Sequence, residues 1–151
     1  MADLVSVIAQ RFLLAAALAL PVARRPDRRF VAHNVPVWEI QGPDQITVHV
    51  SPWAWTSLGN PRNPRAQQSV PVVTFHLQLA RCVPGIGDTS AESLGNSAID
   101  LLDDFEVIQA AVTESAGDIF GHAPVSFGNA IPLGPSGNVA GWEWPITHTV
   151  S

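Results

Sequence analysis

The sequence predicts a single α+β domain spanning 1–151, in which a mostly antiparallel twisted sheet of about four to five strands is packed by an N-terminal helix and one long central helix. Three observations carry that expectation. From Val72 onward the stretch Val70–Val83 alternates. Val73, Phe75, Leu77, Leu79 and Val83 point one way, and Thr74, His76, Gln78 and Cys82 the other, which is the period of a strand with one oily face. Gln45–Val50 repeats the pattern with Ile46, Val48 and Val50 against Thr47 and His49, as an antiparallel neighbour would. Finally, Leu94, Ala98, Leu101, Leu102, Phe105, Ile108 and Val112 fall at helical spacing.

In chain order, the first helix is expected over 3–20, from Asp3 as N-cap to a stop at Pro21, with Leu4, Ile8, Phe12, Ala15 and Ala19 as its stripe. Val5, Leu13, Leu14, Leu18 and Leu20 are apolar as well, so this helix has two faces to cover. Pro21–Asn34 reads as an exposed linker carrying Arg24, Arg25, Arg28 and Arg29. Val35–Ile40 is a short edge-strand candidate because of Pro36, followed by a turn at Gly42-Pro43-Asp44.

Between the two alternating strands lies 51–69, a long inter-strand loop that contains Trp53, Trp55, Arg62 and Arg65. Loops of that length are uncommon in compact domains unless they serve a function, and Trp and Arg are enriched at interfaces. The segment is therefore expected to be an interface arm. The long helix is expected over 89–117, opened by a Thr89/Glu92 capping box and closed by Gly117. A modest strand over Val125–Leu133, a turn at Gly134–Gly137 and a final strand over Val139–Val150, with Pro145 at an edge or bulge, complete the chain.

Composition narrows the function. A net charge of −5 argues against a dedicated nucleic-acid binder, while all basic residues are Arg and the acids concentrate between Asp88 and Asp118. A basic arm and an acidic helix on one molecule could meet head to tail in an assembly. The lone Cys82 excludes a disulfide framework and reads as a small core or second-layer residue. The apolar run Phe12–Leu20 is too short to span a bilayer, which takes about 20 residues. With Asp3 ahead of it and Arg11 inside it, the N-terminal stretch is read as a core helix in preference to a cleaved signal.

No catalytic constellation emerges. The histidines His33, His49, His76, His122 and His148 are scattered singly, and no metal-binding motif is present. His49 and His76 stand side by side if their strands pair, as polar-face residues of a sheet. His76 and Cys82 are about 20 Å apart along one strand and cannot form a dyad. Gly134–Gly141 lacks the Lys and Ser/Thr of a phosphate loop, and Asp103 with Asp104 reads as a solvated helix face. The expectation is a non-enzymatic protein with no catalytic residues, cofactor or metal.

The segments Asp44–Val50, Phe75–Pro84, Pro132–Gly137 and Gly141–Thr147 resemble small neck and tail proteins of actinobacteria-infecting tailed phages. Within that group the order helix, strands, long helix, strands is similar to the tail terminator proteins of long-tailed phages. The resemblance implies a homo-hexameric ring in the virion, at the head-to-tail junction, assembled in the host cytoplasm. Such a ring caps the tail tube, halts its polymerisation and joins the head-tail connector. Its partners would be copies of itself, the tail tube protein and the connector or stopper protein, with DNA passing through the lumen and no membrane involved. The interface residues expected on this reading are Arg24, Arg25, Arg28, Arg29, Trp53, Trp55, Arg62 and Arg65. The alternatives are a head-completion or stopper protein of the neck, a small secreted binding domain with a cleaved signal, and a small hydrolase, which would require His76, His49 and an acid to converge in a pocket.

Overall fold

The computed structural model describes residues 2–32, 44–51, 54–60, 63–83, 90–136 and 138–149, with backbone alone for 2–3, 54–60, 63–71 and 136. The chain is α+β, a mostly antiparallel sheet with helices packed on its apolar face. Helix α1 (Ala2–Ala19) is followed by a short 3-10 turn (Val22–Arg24) and β1 (Arg28–Ala32). Then come β2 (Gln45–Val50), β3 (Ala54–Asn60) and β4 (Asn63–Cys82), the helices α2 (Ala91–Glu114) and α3 (Ala116–Phe120), and β5 (Val125–Phe127), β6 (Ile131–Ser136) and β7 (Val139–Thr149).

Strand β4 organises the sheet, whose order is β1-β2-β4-β7-β5, with β3 also paired to β4 and β6 also paired to β7. The alternation in its sequence is realised: Val73, Phe75, Leu77 and Leu79 are fully buried against the helices. On one edge β2 pairs from Gln45↔Ala80 to Val50↔Phe75, and on the other β7 pairs from Cys82↔Val139 to Val72↔Thr149. Among the described residues only β1 runs parallel to its neighbour, from Arg28↔Gln45 to Ala32↔His49.

Sheet and helices meet in an aromatic core. Trp144 on β7 is the hub, with Phe105 of α2 edge-on at 5.5 Å, Phe12 of α1 at 6.3 Å and Phe127 of β5 stacked at 5.7 Å. Its indole Nε1 donates to the Gly128 carbonyl at 2.9 Å, satisfying the one polar atom of an otherwise apolar side chain. Trp142 likewise packs on Phe105 at 5.1 Å and donates to the Leu101 carbonyl of α2. These two tryptophans are therefore covered within the chain. Helix α1 contributes Val5, Ile8, Ala9, Phe12, Ala16, Ala17 and Leu20, where the buried alanines let its backbone approach closely.

The structure departs from the sequence expectations in several places. The sheet has seven strands, above the expected four to five, because two segments read as loops pair into it. Part of the Pro21–Asn34 linker is β1, which is exposed along most of its length as an edge strand can be. The 51–69 loop is instead strand β3 running back along the first half of β4, Ala54↔Val72 through Asn60↔Asn63. Of its marked residues, Trp53 and Arg62 lie outside the described residues, as do most of the Val35–Ile40 and Gly42–Asp44 expectations.

The long helix starts one turn-residue later than expected. Ser90 is the N-cap and its hydroxyl accepts from the Ser93 amide, so the capping role falls to Ser90, not Thr89. The helix breaks at Ser115 and resumes as α3, so Gly117 is internal and the terminating glycine is Gly121, at φ +80°. Val125–Leu133 is two strands with a break, and β6 runs on to Ser136 through the expected turn. Pro145 lies inside the sheet, at the point where pairing of β7 passes from β5 to β6. Its carbonyl accepts from the Gly128 amide, and the Gly128 carbonyl, which a proline cannot serve, accepts from the Trp144 indole instead.

Candidate functional site

The face of the sheet opposite the helices carries the polar half of each alternating strand: Thr47 and His49 on β2, Thr74, His76 and Gln78 on β4, and Glu143 and Thr147 on β7. The register brings His49 directly opposite His76. Their rings stack with centroids 4.5 Å apart and planes within 3° of parallel. Glu143, opposite Gln78, reaches across β4 so that one carboxylate oxygen lies 3.5 Å from His49 Nε2 and 3.9 Å from His76 Nδ1. Ser51, just past the end of β2, places its hydroxyl against His76 Nε2.

This cluster is short of hydrogen bonds. Among the described residues, the buried side-chain atoms without a partner include Thr47 Oγ1, His49 Nδ1, His76 Nδ1 and Gln78 Oε1, all on this face around the histidine pair. Burial, with His76 beside it, pushes the His49 pKa down from 6.5 to about 4. His49 is therefore neutral near pH 7, and its approach to Glu143 is neither an ion pair nor, at 3.5 Å, a good hydrogen bond. The ligand atoms of His49, His76 and Glu143 all lie within 4.8 Å of one another. Two imidazoles and a carboxylate are a donor set suited to a transition metal.

The pairing of His49 with His76 was readable from the strand patterns; the third member was not. Glu143 sits between Trp142 and Trp144, and only the register of β7 against β4, set by residues 57 or more positions apart, carries it to the pair. The alternation of β7 does place it on the non-tryptophan face, which was the available signal.

Three of the four clustered arginines expected at an interface bond within the chain. Arg24 donates from Nε and Nη2 to the two oxygens of Asp104, at 3.2 and 2.6 Å. Hydrogen bonding to Asp104 raises its pKa, and the charge of Asp104 adds to that, against some loss from burial. Arg25 donates to the carbonyls of Leu20 and Leu18 at the open C-terminal end of α1, where a cation is favoured. Arg29 donates to the Pro26 carbonyl, and Arg28 is exposed. Asp104 is not part of a solvated face: it is 4% exposed and also accepts from Arg81. Cys82 is exposed instead of being a core residue, and its amide donates to Asp44.

Two further features bear on assembly. Along the outer side of α1, Leu4, Val7, Leu14 and Leu18 are 41–56% exposed at spacings of three, seven and four residues. With exposed Arg11 between them, they make a single stripe. The second is the ribbon of β3 and residues 63–71 of β4. Pairing of β7 with β4 ends at Val72, so among the described residues those ribbon strands pair only with each other. At strand rise the ribbon extends about 30 Å beyond the three-stranded centre. Trp55 and Arg65 lie on it. No helix among the described residues is long and apolar enough to cross a membrane. No protein-family model matches the chain, and no curated protein matches it.

Proposed function

We propose that this protein is a structural subunit that works by self-association, a ring-forming tail terminator that caps a phage tail tube and joins it to the head connector. The observation that carries self-association is the outer stripe of α1. Leu4, Val7, Leu14 and Leu18 stand in solvent on a helix whose inner face, from Val5 to Leu20, is already committed to the core. Apolar residues at alternating three- and four-residue spacing form the seam by which helices pack on one another. The sequence alone raised this need for a second covering surface, and the exposed stripe supports it.

The ribbon of β3 and β4 supports the same reading. A two-stranded projection is marginal in water without a third strand or a packing surface. A neighbouring subunit or an adjoining ring supplies one. The resemblance of Asp44–Val50, Phe75–Pro84 and Gly141–Thr147 to phage neck and tail proteins makes the neighbour a copy in a hexameric ring, the tube on one side and the connector on the other.

The test is the mass in solution. Light scattering on the purified chain at about 100 μM is expected to give a closed oligomer, near six copies. The double variant Leu14→Glu, Leu18→Glu is expected to run as a monomer with an unchanged far-UV circular dichroism spectrum. A native chain that stays monomeric at that concentration refutes the reading.

A further inference from the structure

We propose that His49, His76 and Glu143 form a binding site for one divalent transition metal ion, of which zinc is the probe, on the polar face of the sheet. The inference is independent of the assembly reading. It starts from the cost of the arrangement as it stands. His49 is 4% exposed, and neither of its ring nitrogens has a partner within good hydrogen-bonding distance among the described residues. A buried polar group in that state is costly, and native proteins rarely tolerate several side by side. Of the orphaned atoms on this face, His76 Nδ1 lies 3.9 Å from the Glu143 carboxylate, which also stands 3.5 Å from His49 Nε2. A cation at the centre of the cluster would give the His49 Nε2 and His76 Nδ1 lone pairs and the Glu143 oxygen a common partner.

The spacing fits. Zinc–nitrogen bonds of about 2.0–2.1 Å put neighbouring ligand atoms of a tetrahedral site about 3.3 Å apart. The two separations from the Glu143 oxygen are 3.5 and 3.9 Å. His76 is already oriented for the task. Its Nε2–H can donate to the Ser51 hydroxyl, which fixes the tautomer with a bare Nδ1 lone pair facing Glu143. The side chains of His76 and Glu143 are about one fifth exposed, at 20% and 19%, so the remaining coordination position opens to water. That gives two imidazoles, one carboxylate and a solvent position.

One movement is required. The two rings are parallel, and lone pairs lie in the ring planes, so two parallel rings cannot aim at one point. The His49 ring must turn about its Cβ–Cγ bond, a torsion with broad minima, while His76 keeps its contact with Ser51. Metal binding therefore opens the histidine stack.

The experiment uses the full chain without a polyhistidine tag. Calorimetric titration with zinc chloride is expected to show one ion bound per chain. Titration with Co2+ is expected to show the visible d–d bands of a four-coordinate site. Glu143→Gln and His76→Gln, both at partly exposed positions, are each expected to weaken zinc binding by at least about tenfold. The control His122→Ala, at an exposed histidine elsewhere, leaves it unchanged. Circular dichroism of the two variants reports that the fold is retained; should one fail to fold, the other carries the test. Absence of zinc binding, or binding that survives both substitutions, or binding lost with His122, overturns the proposal.

Discussion

Arg81 and Asp104 meet at 2.7 Å between side chains only 7% and 5% exposed, and this pair ties the central strand to the long helix. Around it, Arg81 also donates to Asp44 at 2.8 Å and to the Arg24 carbonyl at 2.7 Å, while Arg24 holds the outer side of Asp104. Four segments of the chain are joined by two carboxylates and two guanidinium groups. Such a network is favourable only while complete, since removal of one member strands a charge out of water.

Asp104→Ala is accordingly expected to lower stability by about 3–5 kcal/mol, because Arg81 keeps only Asp44. In a domain of this size that is a fall in Tm of roughly 10 °C. Asp103→Ala, at the exposed neighbouring position, is expected to change stability by no more than about 0.5 kcal/mol. Thermal melts of the two variants side by side check the contrast. Equal effects would mean that the buried network contributes nothing specific.

The same pair shows where the sequence was legible and where it was not. Alternation along Val73–Leu79 and the stripe through Ile108 and Val112 announce burial locally, because period alone decides which side chains share a face. Asp104 carries no such mark. It follows Asp103 on an acidic helix, and its partners Arg24 and Arg81 come from 80 and 23 residues away. The ribbon was hidden differently. Residues 54–71 are rich in Asn, Pro, Gln and Ser, and nothing in them alternates strongly, so their strand character rests on pairing with each other. The oily two-sided nature of α1 was plain, but the stripe assigned to its core included Leu4, which stands 42% exposed. Inner and outer faces of a helix apolar on both sides cannot be told apart by hydropathy. For the histidine pair the strand periods sufficed, whereas Glu143 needed the register.

Close packing between strands gives a second prediction. Gly141 on β7 lies opposite Ala80, and a Cβ built there would stand 1.8 Å from the Leu79 carbonyl oxygen. The obstacle is backbone in the middle of the sheet, which no side-chain rotation relieves. Gly141→Ala is therefore expected to cost about 3 kcal/mol or more, at the upper end for overpacking, and to reduce the soluble yield. Gly95 in α2 is the counterpart: a Cβ there meets nothing within 4 Å. Gly95→Ala is expected to stabilise by about 0.5–1 kcal/mol through helix propensity. Urea unfolding of the two variants measures both, with opposite signs.

Acid sensitivity follows from a histidine on the core side. His148 pairs between Val73 and Val125 and tilts its ring against Phe120 at 5.7 Å, with 2% of its surface exposed. Burial lowers its pKa below the ordinary 6.5, only partly offset by hydrogen bonding to the Pro124 backbone. As pH falls, the unfolded chain takes up this proton first, so protonation draws the equilibrium toward unfolding. The contribution of His148 is complete above its unfolded value of about 6.5. It declines as pH drops from there toward the lower folded value, and it does not change further beneath that. Melts across pH 7.5 to 4.5 are expected to show Tm falling by several degrees, with a shallower fall in His148→Gln, whose side chain cannot titrate. The residual slope in that variant is assigned to His49, whose pKa is about 4 and which loses stability in the same direction. A native chain whose Tm is flat over this range would mean that the ring of His148 finds room to charge within the core, and that its packing on Phe120 is looser than the 5.7 Å contact indicates.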